Sequence, residues 1–144
     1  MKIGIYGGTF NPPHLGHLAA ARTALDALKL DKLILMPAAV PPHKVLPENS
    51  PTQEHRLAMV ERMADAMERP GAVEVSTLEL EREGKSYTSD TLEAIHRQYP
   101  EAELWLLMGT DMFLTLHLWH EPGTILRLAG ICAFGRSEQD GEPV

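Results

Sequence analysis

Apolar and polar positions follow two rhythms along the chain. Residues 2–6 make a short apolar run that ends in Gly7 and Gly8. From His14 the rhythm changes: Leu18, Ala21, Leu25 and Leu28 recur at three- and four-residue spacing, which predicts a helix with one buried stripe. Pro12 and Pro13 stand just before it, where a missing N–H costs little. Leu33 to Met36 is a continuous apolar run, as expected of a strand covered on both faces. A proline-rich loop follows from Pro37 to Pro51. Thr52 is placed to cap a second helix with Leu57, Val60, Met63, Ala64 and Met67 as its stripe. Arg56 falls on the solvated side of that helix. Val73 to Leu80 alternates weakly, like a strand, and runs into the charged turn Glu81–Gly84. Thr88 or Ser89 is placed to cap a third helix carrying Leu92 and Ile95. Leu104 to Met108 reads as a buried strand, Pro122 as the opening of a short helix, and Gly130 to Phe134 as a last strand. The tail from Ser137 is polar and expected to fray.

Strands that alternate with helices predict an α/β fold: a Rossmann-like open parallel sheet with helices on both faces. In such sheets a ligand binds beyond the strand C-termini, where the strand order reverses. Gly7-Gly8, Pro37, Gly109-Thr110-Asp111 and Gly135-Arg136 all follow predicted strands, so these segments converge on that edge. No internal repeat, low-complexity tract or linker interrupts the 144 residues, which predicts one domain over 1–144.

Charge and composition narrow the partner. A net charge of −7 argues against nucleic acid, whose binding draws on many cations. The charge is uneven: residues 1–45 hold five Lys/Arg and two acids, a net of +3, and the remainder carries −10. A local positive field on an acidic body suits a small anion, and solvated surface charge explains it equally well. No apolar run approaches the ~18 residues of a membrane span. The first residues do not resemble a secretion signal, and a single cysteine, Cys132, cannot form an internal disulfide. A cytoplasmic protein is expected. Oligomeric state is open, and a homo-oligomer is compatible.

The turn after the first strand carries the most chemistry. Gly7 and Gly8 permit close backbone approach, and the helix N-terminus beyond them attracts anions. His14 and His17 are three residues apart and share one face of the first helical turn, with Gly16 between them. Two imidazoles aimed at one phosphate can donate to oxygens that gain charge in a transition state. A metal pair or a helix cap is the competing reading, but zinc wants a third ligand and usually a four-residue spacing. The chain has neither Gly-x-Gly-x-x-Gly nor Gly-x4-Gly-Lys-Ser/Thr, which argues against dinucleotide cofactors and P-loop ATPases. Elsewhere, Lys44 ends a rigid proline-rich loop as a phosphate-reaching cation or a solvated one. Ser86 to Leu92 can bind a carboxylate through hydroxyls and N–H groups at a helix start, or simply cap it. Asp111 can orient a ribose hydroxyl, help hold a metal, or cap a helix. Trp119 offers an indole for stacking on a flat ring, or a core side chain.

The eleven residues Gly7-Gly8-Thr9-Phe10-Asn11-Pro12-Pro13-His14-Leu15-Gly16-His17 resemble the signature of the nucleotidylyltransferase superfamily, with its His-x-Gly-His core. Within it they are most similar to the bacterial nicotinate-nucleotide adenylyltransferases. Members usually carry Asp where this chain has Asn11. Pro37 to Lys44 resembles the family's loop after the second strand, with Ala39 where some relatives use Asn on the pyridine nucleotide. Ser86 to Leu92, Gly109-x-Asp111, Trp119-His120 and Arg136 also resemble family elements.

The resemblance implies transfer of AMP from ATP to nicotinate mononucleotide, giving nicotinate adenine dinucleotide and pyrophosphate. It implies His14 and His17 as catalytic residues. Gly7, Gly8, Thr9, Phe10, Lys44, Gly109 and Asp111 would join them around ATP, and Thr88, Trp119, His120 and Arg136 would meet the pyridine nucleotide. Magnesium would accompany ATP, mostly keeping its water, so no protein metal site is expected. Family members carry a later Ser/Thr-x-x-Arg phosphate clamp that nothing after Arg136 supplies, so a C-terminally incomplete domain is expected. Two alternatives stand beside this: adenylyl transfer to another small phosphate substrate, such as phosphopantetheine or a sugar-alcohol phosphate, and a nucleotide-binding domain with impaired catalysis.

Overall fold

The computed structural model describes residues 1–8, 15–37, 53–69, 71–81 and 87–134. Five strands form one sheet: β1 (Lys2–Gly8), β2 (Lys32–Pro37), β3 (Val73–Val75), β4 (Glu103–Gly109) and β5 (Ala129–Phe134). Their order is β3-β2-β1-β4-β5, and every neighbouring pair is parallel. Helices α1 (Leu15–Ala27), α2 (Gln53–Ala66), α3 (Thr88–Gln98), α4 (Thr110–Phe113) and α5 (Pro122–Leu128) connect them, with a 3-10 turn at Leu116–Leu118. The expected open parallel α/β sheet is what the chain forms.

Alternation along the strands divides the core in two. Tyr6, Leu33, Leu35 and Leu107 face a layer closed by Ala20, Ala21 and Ala24 of α1 and Val60 and Met63 of α2. Ile3, Ile5, Ile34, Met36, Leu104 and Leu106 face the other, closed by Leu92 and Ile95 of α3 and Ile125 of α5. Parallel strands buried on both sides read as continuous apolar runs because both faces must be filled. Gly4 lets this packing close: a Cβ there would stand 2.5 Å from Leu30 Cδ1. Strand order runs outward in both directions from β1, so the reversal lies between β1 and β4. Gly8 and Gly109 end the two strands on either side of that reversal.

Four details depart from the sequence expectation. β3 stops at Val75 instead of reaching Leu80. Ser76 N–H still donates to the Leu35 carbonyl, after which the Thr77 hydroxyl bonds Glu81 and the chain turns. Neither Thr88 nor Ser89 caps α3; Tyr87 holds that position in extended geometry without a side-chain cap. Ser89 is instead 1% exposed, and its hydroxyl has no hydrogen-bond partner among the described residues. Arg56 is not solvated but 2% exposed on α2, and burial pushes its guanidinium below the usual arginine range. The β4–β5 connection holds α4 and a 3-10 turn where the sequence pattern indicated only the short helix at Pro122. The proline-rich loop, Thr52 and the polar tail lie outside the described residues. No helix among the described residues is long and apolar enough to cross a membrane.

Candidate active site

Gly7 and Gly8 are the last residues of β1 and pair with Met36 and Pro37 of β2. Among the described residues a Cβ at Gly7 would meet the Met36 carbonyl at 3.8 Å, an ordinary contact. The helix that follows begins at Leu15, which puts His17 in its first turn. The His17 ring is half-buried and meets Tyr6 edge-on, with centroids 6.1 Å apart and planes at 67°. Tyr6 is 2% exposed and lies against Phe134, centroids 6.0 Å apart. Thr9, Phe10 and His14 fall outside the described residues.

Across the strand reversal, Gly109 ends β4 and serves as the N-cap of α4 in extended geometry. Asp111 is the second residue of α4; its side chain lies outside the described atoms. Between them, Thr110 has a role the sequence reading did not give it. Its hydroxyl donates to the Phe134 carbonyl at 2.7 Å, tying the start of α4 to the end of β5. A threonine beside a strand end was visible in the sequence, but its partner is 24 residues away. Arg136 and Lys44 lie outside the described residues.

The second cluster forms around the start of α3. Thr88 is the first helical residue and is half-buried. Tyr87, just before it, stacks on His120 with centroids 4.0 Å apart and planes at 24°. That contact draws Thr88 and the Trp119-His120 pair together from opposite ends of the α3–β4 unit. Trp119 is half-buried against the apolar layer of Ile3 and Ile5, and its indole N–H donates to the Thr115 hydroxyl at 3.1 Å. Behind the helix start, the Thr91 hydroxyl donates to Glu79 at 2.8 Å. Tyr87 was missed as a site residue because its partner is known only once the fold forms.

Both clusters lie at the C-terminal edge of the sheet. Helices between parallel strands run back from that edge, so α1 and α3 both start there. Lys32, at the start of β2, bonds the hydroxyl of Tyr99 just past α3, which marks the opposite edge. A helix start with an imidazole in its first turn suits a phosphate, and a second with a threonine hydroxyl suits a carboxylate. Among the described residues no group of His, Cys, Asp and Glu can hold a metal ion. A cavity of about 420 Å³ lies elsewhere, between α2 and the edge strand β3. Glu61 and Asp65 line it, and their carboxylates would repel a nucleotide's phosphates.

Comparison with known proteins finds relatives over most of the sequence. A protein from Gemmatimonas aurantiaca named "Probable nicotinate-nucleotide adenylyltransferase" is 41% identical over 136 residues, covering 94% of this chain and 62% of its own length. One of the same name from Trichlorobacter lovleyi is 45% identical over 139 residues, covering 96% and 63%. The chain thus spans a little over three fifths of these relatives. A solved structure from Vibrio parahaemolyticus carries the same provisional name; it aligns with TM-score 0.70 and 27% identity over 94% of this chain and 74% of that one. The nicotinic acid mononucleotide adenylyltransferase of Plasmodium falciparum, solved with NaAD, shares the fold at TM-score 0.68 and 15% identity, covering 93% of this chain and 74% of that one. The cytidylyltransferase-like family matches residues 5–141, nearly the whole sequence including both clusters, and the chain belongs to that family.

Proposed function

We propose that this chain carries an adenylyl-transfer centre that joins ATP to nicotinate mononucleotide, yielding nicotinate adenine dinucleotide and pyrophosphate. The observation that carries the reading is the Tyr87–His120 stack, which draws Thr88 and Trp119-His120 together at the same sheet edge as Gly7 and His17. One cluster then suits a triphosphate and the other a flat acidic ring. The names of the relatives from Gemmatimonas aurantiaca and Trichlorobacter lovleyi support the same substrates.

In this reading a phosphate oxygen of nicotinate mononucleotide attacks the α-phosphorus of ATP. The new P–O bond forms as the bond to the bridging oxygen breaks, and pyrophosphate leaves with that electron pair. A phosphate dianion needs no strong base, so rate comes from positioning and charge stabilisation. His14 and His17 hold the triphosphate and donate to oxygens gaining charge. Gly7, Gly8, Thr9, Phe10 and Lys44 join them around ATP. Gly109 and Asp111 bound the nucleotide on the β4 side. Thr88 receives the nicotinate carboxylate, and Trp119, His120 and Arg136 hold the remainder of the pyridine nucleotide. Magnesium bound with ATP would neutralise phosphate charge while keeping much of its water. One domain acting in the cytoplasm, without nucleic acid or membrane, completes the reading.

The test is release of pyrophosphate from ATP and magnesium with either nicotinate or nicotinamide mononucleotide. Release with the acid alone is expected. Calorimetric binding of both substrates without release would leave a nucleotide-binding domain, and release only with another phosphate acceptor would replace the substrate.

A further inference from the structure

Three rings from three elements form a row at the ligand edge. Phe134 ends β5, Tyr6 lies on β1 and His17 sits in the first turn of α1. Phe134 and Tyr6 are each 2% exposed, with centroids 6.0 Å apart and planes tilted by 42°. Tyr6 and His17 stand 6.1 Å apart at 67°, the edge-on arrangement aromatic rings favour. The imidazole is the least buried of the three. The end of the row is anchored in turn, since Phe134 carries the carbonyl that Thr110 holds at 2.7 Å.

We propose that Tyr6 is a positioning residue for His17: it fixes the imidazole against a buried ring so that the ring nitrogens present to the phosphate in one orientation. A half-buried histidine at a helix start has several staggered rotamers open to it. Contact with an immobile ring removes some of them before substrate arrives, and a preorganised donor needs no rearrangement during the reaction. Tyr6 can serve because it is buried and packed against Phe134. Its ring lies in the layer closed by Ala20, Ala21 and Ala24, small residues that leave an aromatic side chain room beneath α1. Strand alternation sends Ile3 and Ile5 to the opposite layer and leaves Tyr6 as the aromatic side chain that β1 gives to this one. The turnover arm of the inference rests on the proposed function; its geometric arm does not.

The test combines kinetics with NMR of the histidine rings. In the unsubstituted chain, nuclear Overhauser effects should connect the Tyr6 and His17 ring protons; their absence overturns the proposal. Tyr6→Leu should shift the His17 ring signals and lower kcat on the order of three- to tenfold, with KM for ATP changed less than about twofold. Tyr6→Phe keeps the ring and should restore both. A folded Tyr6→Leu protein with unaltered imidazole signals and unaltered kcat overturns the inference. Should Tyr6→Leu not fold, Phe134→Leu removes the brace behind Tyr6 and should broaden or shift the His17 signals, and unchanged signals count against it. A chain without turnover refutes the function but leaves the NMR arm decisive.

Discussion

The Thr110 hydroxyl donates to the Phe134 carbonyl at 2.7 Å, and this bond ties the start of α4, just past β4, to the end of β5. β4 and β5 are parallel neighbours from Leu104↔Ala129 to Gly109↔Phe134, so the bond adds one side-chain rung where the ladder ends. Thr110→Val keeps the shape and loses the rung. It should lower stability by about 0.5–1.5 kcal/mol, whereas Thr110→Ser should keep most of it. Urea unfolding midpoints of the three proteins measure this.

His17→Ala should remove most turnover. Loss of one preorganised donor to a charged transition state costs on the order of a hundredfold or more in kcat. Steady-state pyrophosphate release measures it. Near-normal turnover in the variant would exclude His17 from the chemistry.

Thr88→Val tests the carboxylate site. Removing a hydroxyl that bonds a charged group should weaken nicotinate mononucleotide by about 1.5–3 kcal/mol, or roughly ten- to a hundredfold in KM. The KM for ATP should stay near its original value. If both KM values rise together, Thr88 shapes the whole cleft and does not single out the acid.

Gly4→Ala should destabilise without touching the site. The added Cβ would stand 2.5 Å from Leu30 Cδ1, 3.2 Å from Leu33 Cδ1 and 3.3 Å from Leu107 Cδ1. Overpacking a filled core costs about 1–3 kcal/mol. Thermal unfolding should show a lower Tm, with substrate KM values unchanged in the protein that remains folded.

Lys32 supplies a prediction in pH. Its ammonium bonds the Tyr99 hydroxyl and Glu74, both at 3.2 Å, and these contacts raise its pKa above the ordinary 10.5. A raised lysine stabilises the fold fully below the unfolded value and loses that contribution as pH climbs through the folded one. Tm of the unsubstituted protein should therefore fall more steeply than that of Lys32→Met between about pH 9 and 12. Glu74 is exposed, with 45% of its side chain accessible, so solvent screens the pair and the difference should be small.

Much of this protein follows from local pattern. The apolar runs at residues 2–6, 33–36 and 104–108 and the helical stripes between them require a parallel sheet covered on both faces, because each buried stripe must meet another. His17 at a helix start is legible for the same reason: the stripe from Leu18 to Leu28 marks the helix, and the geometry of one helical turn is known in advance. What depends on residues far apart in sequence was not legible. Its charge suggests solvent for Arg56, yet it stands four residues before Val60 and seven before Met63, on the buried stripe of α2, and packing buries it. Thr88 and Ser89 have the chemistry of caps, but Ser89 is turned inward and Tyr87 takes the position, free to stack on His120. Local propensity is a matter of a few tenths of a kcal/mol to about 1 kcal/mol per residue, and contacts made only when β1, β4 and β5 lie side by side outweigh it. Sequence therefore determined the layers and the helical turn that carries His17. Tertiary structure decided which side chains stand behind that turn: Tyr6 under His17, Phe134 behind Tyr6, and Thr110 holding the strand that carries Phe134.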